Sequence, residues 1–68
     1  MSKITLKAAR VNQGLTQKEV AKELNVSTKT ICFWEKGIRM PKVIYIDKLC
    51  DLYKVSYDDI NFLVTSSL

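Results

Sequence analysis

Residues 15–37 have the sequence LTQKEVAKELNVSTKTICFWEKG, which contains start and end signals for two helices. Thr16 and Glu19 have the spacing of a capping box, in which the threonine oxygen accepts a bond from the backbone N–H three residues on and the glutamate reaches back to the N-cap. Ser27 is a favourable N-cap for a second helix, and Gly37 can adopt the left-handed conformation that ends it. The pattern predicts two short helices joined by a tight turn.

Both helices are predicted to have one apolar face. The apolar residues of the first helix fall within about 100° of arc and are Val20, Ala21 and Leu24. The second helix spans Thr28 to Lys36, and its inner side carries Thr30, Ile31, Trp34 and Glu35. Its outer side carries Thr28, Lys29, Cys32, Phe33 and Lys36. We therefore expect a helix-turn-helix over about residues 16–36, with the second helix presenting polar and basic groups outward.

The flanking sequence adds further helices. Residues 4–12 have helical spacing before a Gln-Gly end signal, and residues 42–53 form a helix that we expect to be largely buried. A cap followed by two aspartates predicts a short fifth helix from Tyr57 to about Leu63. Residues 64–68 carry no strong pattern and are expected to fray. The prediction is one compact all-α domain over residues 1–68, with five helices.

Charge is distributed unevenly along the chain. Up to and including Lys42, nine lysines and arginines stand against three acidic residues, a net charge of +6. After it, two lysines stand against four aspartates, a net charge of −2. A polarised surface of this kind suggests that one face meets a polyanion such as nucleic acid.

The composition argues against several classes of function. The chain has no histidine and only two cysteines, Cys32 and Cys50, so no zinc site and no Cys-His nucleophile can be assembled. We expect both cysteines to be free thiols, with a disulfide between them as the alternative. There is no phosphate-binding glycine loop and no carboxylate pair in an apolar setting. We therefore expect that the protein is not an enzyme and binds neither a cofactor nor a small-molecule ligand. No segment resembles a signal peptide or a membrane span, which predicts a cytoplasmic protein.

Three motifs carry a family resemblance. They are L-T-Q-x-x-V-A at residues 15–21, V-S-x-x-T-I-x-x-W-E-x-G at residues 26–37 and K-V-S at residues 54–56. Together they resemble the Cro/phage-repressor type of helix-turn-helix domain, also called xenobiotic-response-element-like, over residues 4–63. The resemblance implies a five-helix, lambda-repressor-like DNA-binding fold that is usually dimeric on DNA.

Base contacts are expected from the outer face of the second helix, from Thr28 to Lys36, which we call the recognition helix. Thr28 and Lys29 occupy its first turn, the part that lies against base edges in helix-turn-helix proteins. A lysine donates well to guanine, and a threonine can bond to a base or press its methyl group against that of thymine. Phe33 is expected to contact thymine methyls or sugar edges, or else to pack back against the preceding helix. The small thiol of Cys32 would allow close approach to the groove.

The resemblance also implies phosphate contacts and one ion pair. The family's matching glutamine binds a phosphate, which assigns that role to Gln17. The matching arginine and glutamate form a partly buried pair that also holds the arginine toward a phosphate, which assigns these roles to Arg10 and Glu35. Thr30 lies where the family can also reach a phosphate. The remaining phosphate candidates form a basic strip beside the recognition helix and are Lys36, Arg39 and Lys42. The alternative is that these are unrelated surface groups.

The resulting functional prediction is a sequence-specific repressor of the phage or plasmid kind that binds double-stranded DNA. We expect a homodimer, weak or dependent on DNA, on a two-fold symmetric operator. Its contacts are expected from the last third of the chain, at Tyr57, Ile60, Phe62 and Leu63. The alternative is a protein-interaction module, such as an antitoxin or a transcription co-regulator, built on the same fold.

Overall fold

The computed structural model describes residues 3–62, which form four α-helices and one turn of 3-10 helix. The α-helices are α1 (Leu6–Asn12), α2 (Gln17–Leu24), α3 (Thr28–Lys36) and α4 (Val43–Tyr53), and the 3-10 turn is Tyr57–Asp59. Leu63 and the tail at 64–68, for which fraying was expected, lie outside the described residues. No helix in the described part is long and apolar enough to cross a membrane.

Local hydrogen bonds explain where α2 and α3 begin and end. Thr16 and Glu19 form the predicted capping box, and the Ser27 side chain accepts from the backbone N–H of Thr30 at 3.0 Å. Asn25 ends α2 in the left-handed conformation (φ 58°), and Gly37 ends α3 in the same way (φ 76°). These bonds define two helices, Gln17–Leu24 and Thr28–Lys36, joined by a tight turn.

The first helix begins two residues later than predicted. The Thr5 hydroxyl accepts from the backbone N–H of Ala8 at 3.0 Å, which makes Thr5 the N-cap and Leu6 the first helical residue. Ile4 is extended and forms a parallel bridge with Ile60. A contact between residues so distant in the chain has no signature in local periodicity.

The predicted fifth α-helix is wrong. Ser56 and Asp59 do form a capping box, but the helical conformation ends after Asp59. The N–H of Ile4 donates to the carbonyl of Asp59, and the N–H of Asn61 donates to the carbonyl of Ile4, both at 2.9 Å. These bonds hold the chain extended at Ile60 (φ −101°, ψ 131°), so pairing with the chain start replaces the next helical turn.

The hydrophobic core lies where the four helices meet. Its members are Leu6, Ala9, Val20, Ala21, Leu24, Ile31, Trp34, Leu49, Tyr53 and Ile60. The apolar faces predicted for α2 and α3 are both buried here. The expectation that α4 is largely buried is wrong for its first turn, because Val43 is 73% exposed and Ile44 is 59% exposed. Ile46, Leu49 and Tyr53 provide the buried side of α4 instead.

Candidate nucleic-acid interface

The first turn of α3 faces solvent beside its capped end. Thr28 and Lys29 are exposed, while Thr30 is half-buried. The hydroxyl of Thr30 lies 2.9 Å from that of Ser27, within hydrogen-bond distance. The two side chains expected to contact bases are therefore accessible, and Thr30 is held against its own helix cap.

Glu35 is the centre of a partly buried polar cluster that also contains Arg10 and Gln17. The Arg10 Nε donates to Glu35 Oε2 at 2.7 Å, and its Nη2 donates to Oε1 at 3.2 Å. The two side chains are only 11% and 5% exposed. Bidentate pairing of this kind fixes the plane of a guanidinium. The bond to Glu35 also raises the pKa of Arg10 above its ordinary value, so the residue stays charged.

Two further bonds extend this cluster beyond the predicted ion pair. The Arg10 Nη1 donates to the carbonyl of Leu15 at 2.8 Å, which ties α1 to the residue preceding the α2 cap. The Gln17 Nε2 donates to Glu35 Oε1 at 3.0 Å. One carboxylate therefore orients both Arg10 and Gln17, although only its pairing with the arginine was expected. A carboxylate can accept about four bonds and one arginine uses only two of them, so a second partner for Glu35 could have been expected from the sequence.

The same cluster exerts an electrostatic influence on a buried tyrosine of α4. Burial is the main influence that raises the pKa of Tyr53 above its ordinary value, and the negative charge of Glu35 adds to it. Tyr53 is 1% exposed and belongs to the core. The Arg10–Glu35 pair is thus placed at the edge of the packed interior, where an unpaired charge would be costly.

A groove separates α3 from the connection that leads to α4. It encloses about 560 Å³, and three of its lining residues are the cations Lys29, Arg39 and Lys42. We call it the cationic groove. Its aromatic walls include Trp34 and Tyr45, whose ring centroids lie 5.4 Å apart. No acidic residue is among the described residues that line it. Positive charge is therefore concentrated there without internal neutralisation.

The predicted basic residues are exposed at the end of α3 and beyond it. Arg39 and Lys42 line the cationic groove, and Lys36 is exposed outside its lining. Lys29, expected only to contact bases, does line it. The spacing of the residues along the chain could not reveal this, because the connection after α3 folds back beside the helix.

The two remaining candidates on α3 are half-buried. Phe33 lines the cationic groove, and the Lys29 Nζ lies 5.5 Å from the centroid of its ring. Cys32 is a free thiol, as is Cys50, so the two do not form the disulfide kept as an alternative. Burial, reinforced by nearby aspartates, raises the pKa of Cys50. No cluster of His, Cys, Asp and Glu side chains within residues 3–62 has the makings of a metal site.

Comparison with known proteins gives two matches. A family model described as Helix-turn-helix matches residues 6–60. The HTH-type transcriptional regulator ImmR of Bacillus subtilis (strain 168) is 42% identical over 53 residues, which cover 78% of this chain. The aligned region is 42% of the length of that relative, so the chain spans less than half of it. No solved structure matches significantly.

Proposed function

Because this chain belongs to the Cro/C1-type helix-turn-helix family of DNA-binding transcription regulators, we propose that it represses transcription by binding a specific double-stranded DNA site. The observation that carries the proposal is the position of the cationic groove beside the exposed first turn of α3. A duplex with α3 in its major groove would bring a phosphate backbone toward that groove. Repression in the manner of a phage or plasmid regulator requires only that the bound protein excludes other proteins from its site.

Base recognition is assigned to the outer face of α3. Thr28 and Lys29 reach the base edges from its first turn, Cys32 extends the contact along the next turn, and Phe33 contributes to base recognition from the same face. The lysine ammonium donates to guanine O6 and N7, and the threonine contacts a neighbouring pair. The half-buried thiol of Cys32 leaves room for the helix to approach closely.

Phosphate contacts are assigned to both sides of the recognition helix. Arg39 and Lys42 in the cationic groove hold one strand, and Lys36 adds charge at the end of α3. On the other side, Gln17 at the first position of α2 is held by Glu35 and offers the second N–H of its side-chain amide to a phosphate. Arg10 supports this contact with the part of its guanidinium that stays exposed, and Thr30 adds its hydroxyl beside the α3 cap.

A homodimer on a two-fold symmetric operator completes the proposal. Tyr57 is 57% exposed and Met40 is 54% exposed, and with Phe62 they line one open cavity. Ile60 was expected at the interface but is 3% exposed in the core, so that part of the prediction is wrong. Six described residues line this cavity, whereas a standard interface uses about 20–30 residues on each side. We therefore place the dimer on DNA, with Tyr57 and Phe62 at the contact between subunits.

Selection of bound sites from random double-stranded DNA tests the proposal. Mobility-shift titrations of the selected site in rising salt then measure its affinity. We expect a two-fold symmetric site with half-site centres about one helical turn apart. The advantage over random DNA should persist as salt weakens both complexes. A footprint over one asymmetric half-site at saturation would contradict the dimer. Equal binding to all sequences at every salt concentration would contradict specific recognition and favour a protein-interaction role.

A further inference from the structure

Lys29 and Phe33 are four residues apart on α3 and lie on the same face of the helix. The Lys29 ammonium nitrogen is 5.5 Å from the centroid of the Phe33 ring, within the distance over which an aromatic face attracts a cation. Phe33 is half-buried and shares the lining of the cationic groove with Lys29. The ring is therefore anchored by the protein, whereas the lysine side chain is exposed.

The groove offers Lys29 no carboxylate among its described lining residues. Its other charged side chains, Arg39 and Lys42, repel an ammonium rather than hold it. The Phe33 ring is thus the attractive partner that the structure gives to Lys29. A lysine has a flexible four-carbon stem, and fixing such a chain on binding costs conformational entropy. A ring that already restrains the ammonium reduces that cost.

We propose that Phe33 determines the base preference of this protein as a positioning residue that acts through Lys29. This inference rests on the proposed function, because it assumes that Lys29 contacts a base. An ammonium has three N–H donors, so contact with a ring face leaves donors free for guanine O6 and N7. The ring keeps the ammonium beside the second turn of α3 and thereby favours the base pair that lies there.

A different role for Phe33 makes a different prediction. If the ring itself pressed on a thymine methyl, its effect on base preference would not depend on the side chain at position 29. If it acts through Lys29, its effect disappears once the ammonium is gone. A double-mutant cycle separates these two cases.

The experiment measures competition binding of the selected operator and of operators changed at each base pair. The proteins compared are the wild type, Phe33→Leu, Phe33→Tyr, Lys29→Met and the double variant Phe33→Leu with Lys29→Met. Phe33→Leu keeps an apolar side chain without a ring, and Phe33→Tyr keeps the ring face. Lys48→Ala, which removes an exposed cation from α4, is the matched control for charge.

We expect Phe33→Leu to reduce preference by about two- to fivefold, the size of an exposed cation–π contact, at the same base pair that Lys29→Met affects. Phe33→Tyr and Lys48→Ala should retain the preference, and Phe33→Leu should add nothing in the Lys29→Met background. In the free protein, the Lys29 methylene protons next to the ammonium should show an upfield ring-current shift by NMR. That shift should persist in Phe33→Tyr and vanish in Phe33→Leu.

Three results would overturn the inference. One is an undiminished effect of Phe33→Leu in the Lys29→Met background, which would assign the contact to the ring itself. Another is unchanged base preference in a folded Phe33→Leu protein, and the third is the absence of a ring-current shift in the wild type. The last measurement applies even if Phe33→Leu does not fold. A wild type without any preferred sequence would instead refute the proposed function, which keeps the two failures distinct.

Discussion

Arg10 and Lys29 carry the same charge in opposite settings on one small domain. Arg10 is 11% exposed and makes three hydrogen bonds, two to Glu35 and one to the carbonyl of Leu15. Lys29 is exposed, contacts the Phe33 ring and lines a groove without a carboxylate. A buried charge must be paired for the chain to fold, whereas an exposed cation needs no partner and can meet a polyanion. The first setting supports the architecture and the second supports recognition.

The largest effect should come from removing Glu35, the acceptor of the partly buried polar cluster. We expect Glu35→Ala to destabilise the fold by about 1–3 kcal/mol, because it leaves the Arg10 guanidinium partly unpaired and takes the acceptor from Gln17. DNA binding should weaken with it, since both side chains lose their orientation. Urea unfolding gives the free energy of unfolding, and Glu23→Ala on the exposed side of α2 is the control. Unchanged midpoints for both Glu35→Ala and Arg10→Ala would refute the structural role of the pair.

Removing Lys29 should leave stability unchanged and alter recognition. We expect Lys29→Ala to cost about 1–3 kcal/mol of binding free energy on the preferred site and to relax preference at one base pair of each half-site. A G·C pair is expected there, because lysine donates to guanine. Competition binding against operators changed at single positions measures the effect. Equal weakening on every sequence would show that Lys29 contacts phosphate rather than a base.

A conservative change inside the partly buried polar cluster should have a smaller effect than loss of Glu35. Arg10→Lys keeps the charge but cannot form two parallel bonds with the carboxylate and also reach the Leu15 carbonyl. We expect a loss of about 1 kcal/mol in the free energy of unfolding, roughly one hydrogen bond. The matched control is Arg39→Lys, which changes the same side chain at an exposed position. If both variants unfolded at the same urea concentration as the wild type, bidentate geometry would not matter at Arg10.

The contrast between the two settings also explains what could be predicted from the sequence. The capping box of Thr16 and the N-cap Ser27 act over three residues, so local spacing predicted the helix-turn-helix. The Lys29–Phe33 contact also has a local signature, the i, i+4 spacing, although it was not among the expectations from sequence. The bridge of Ile4 with Ile60 joins distant parts of the chain, and it replaced a helix that the Ser56 cap favoured.

The features of the candidate site also fall into two groups, local ones that the sequence predicts and contacts across the fold that it does not. The exposed position of Lys29 on α3 followed from the helical wheel, but its place beside Arg39 and Lys42 depends on how the connection after α3 folds back. The bond from Gln17 to Glu35 likewise depends on packing between α2 and α3. The chemical type of each side chain was therefore visible in the sequence, whereas the partner it meets across the fold was not.

The smallest and least sequence-dependent effects are expected from the other two cations of the cationic groove. Arg39 and Lys42 lie beyond the end of α3, where they can face a phosphate backbone but not a base edge. Arg39→Ala and Lys42→Ala should each weaken specific and random DNA complexes by the same factor. Each should also reduce the slope of log affinity against log salt by about 0.9 for every phosphate that the variant no longer neutralises. Titrations of both DNAs at several salt concentrations measure these slopes, with Lys48→Ala as the control for net charge. If Arg39→Ala changed base preference while Lys29→Ala weakened all sequences equally, the proposed placement of the duplex on α3 would be wrong. Arg39 would then contact a base and Lys29 a phosphate.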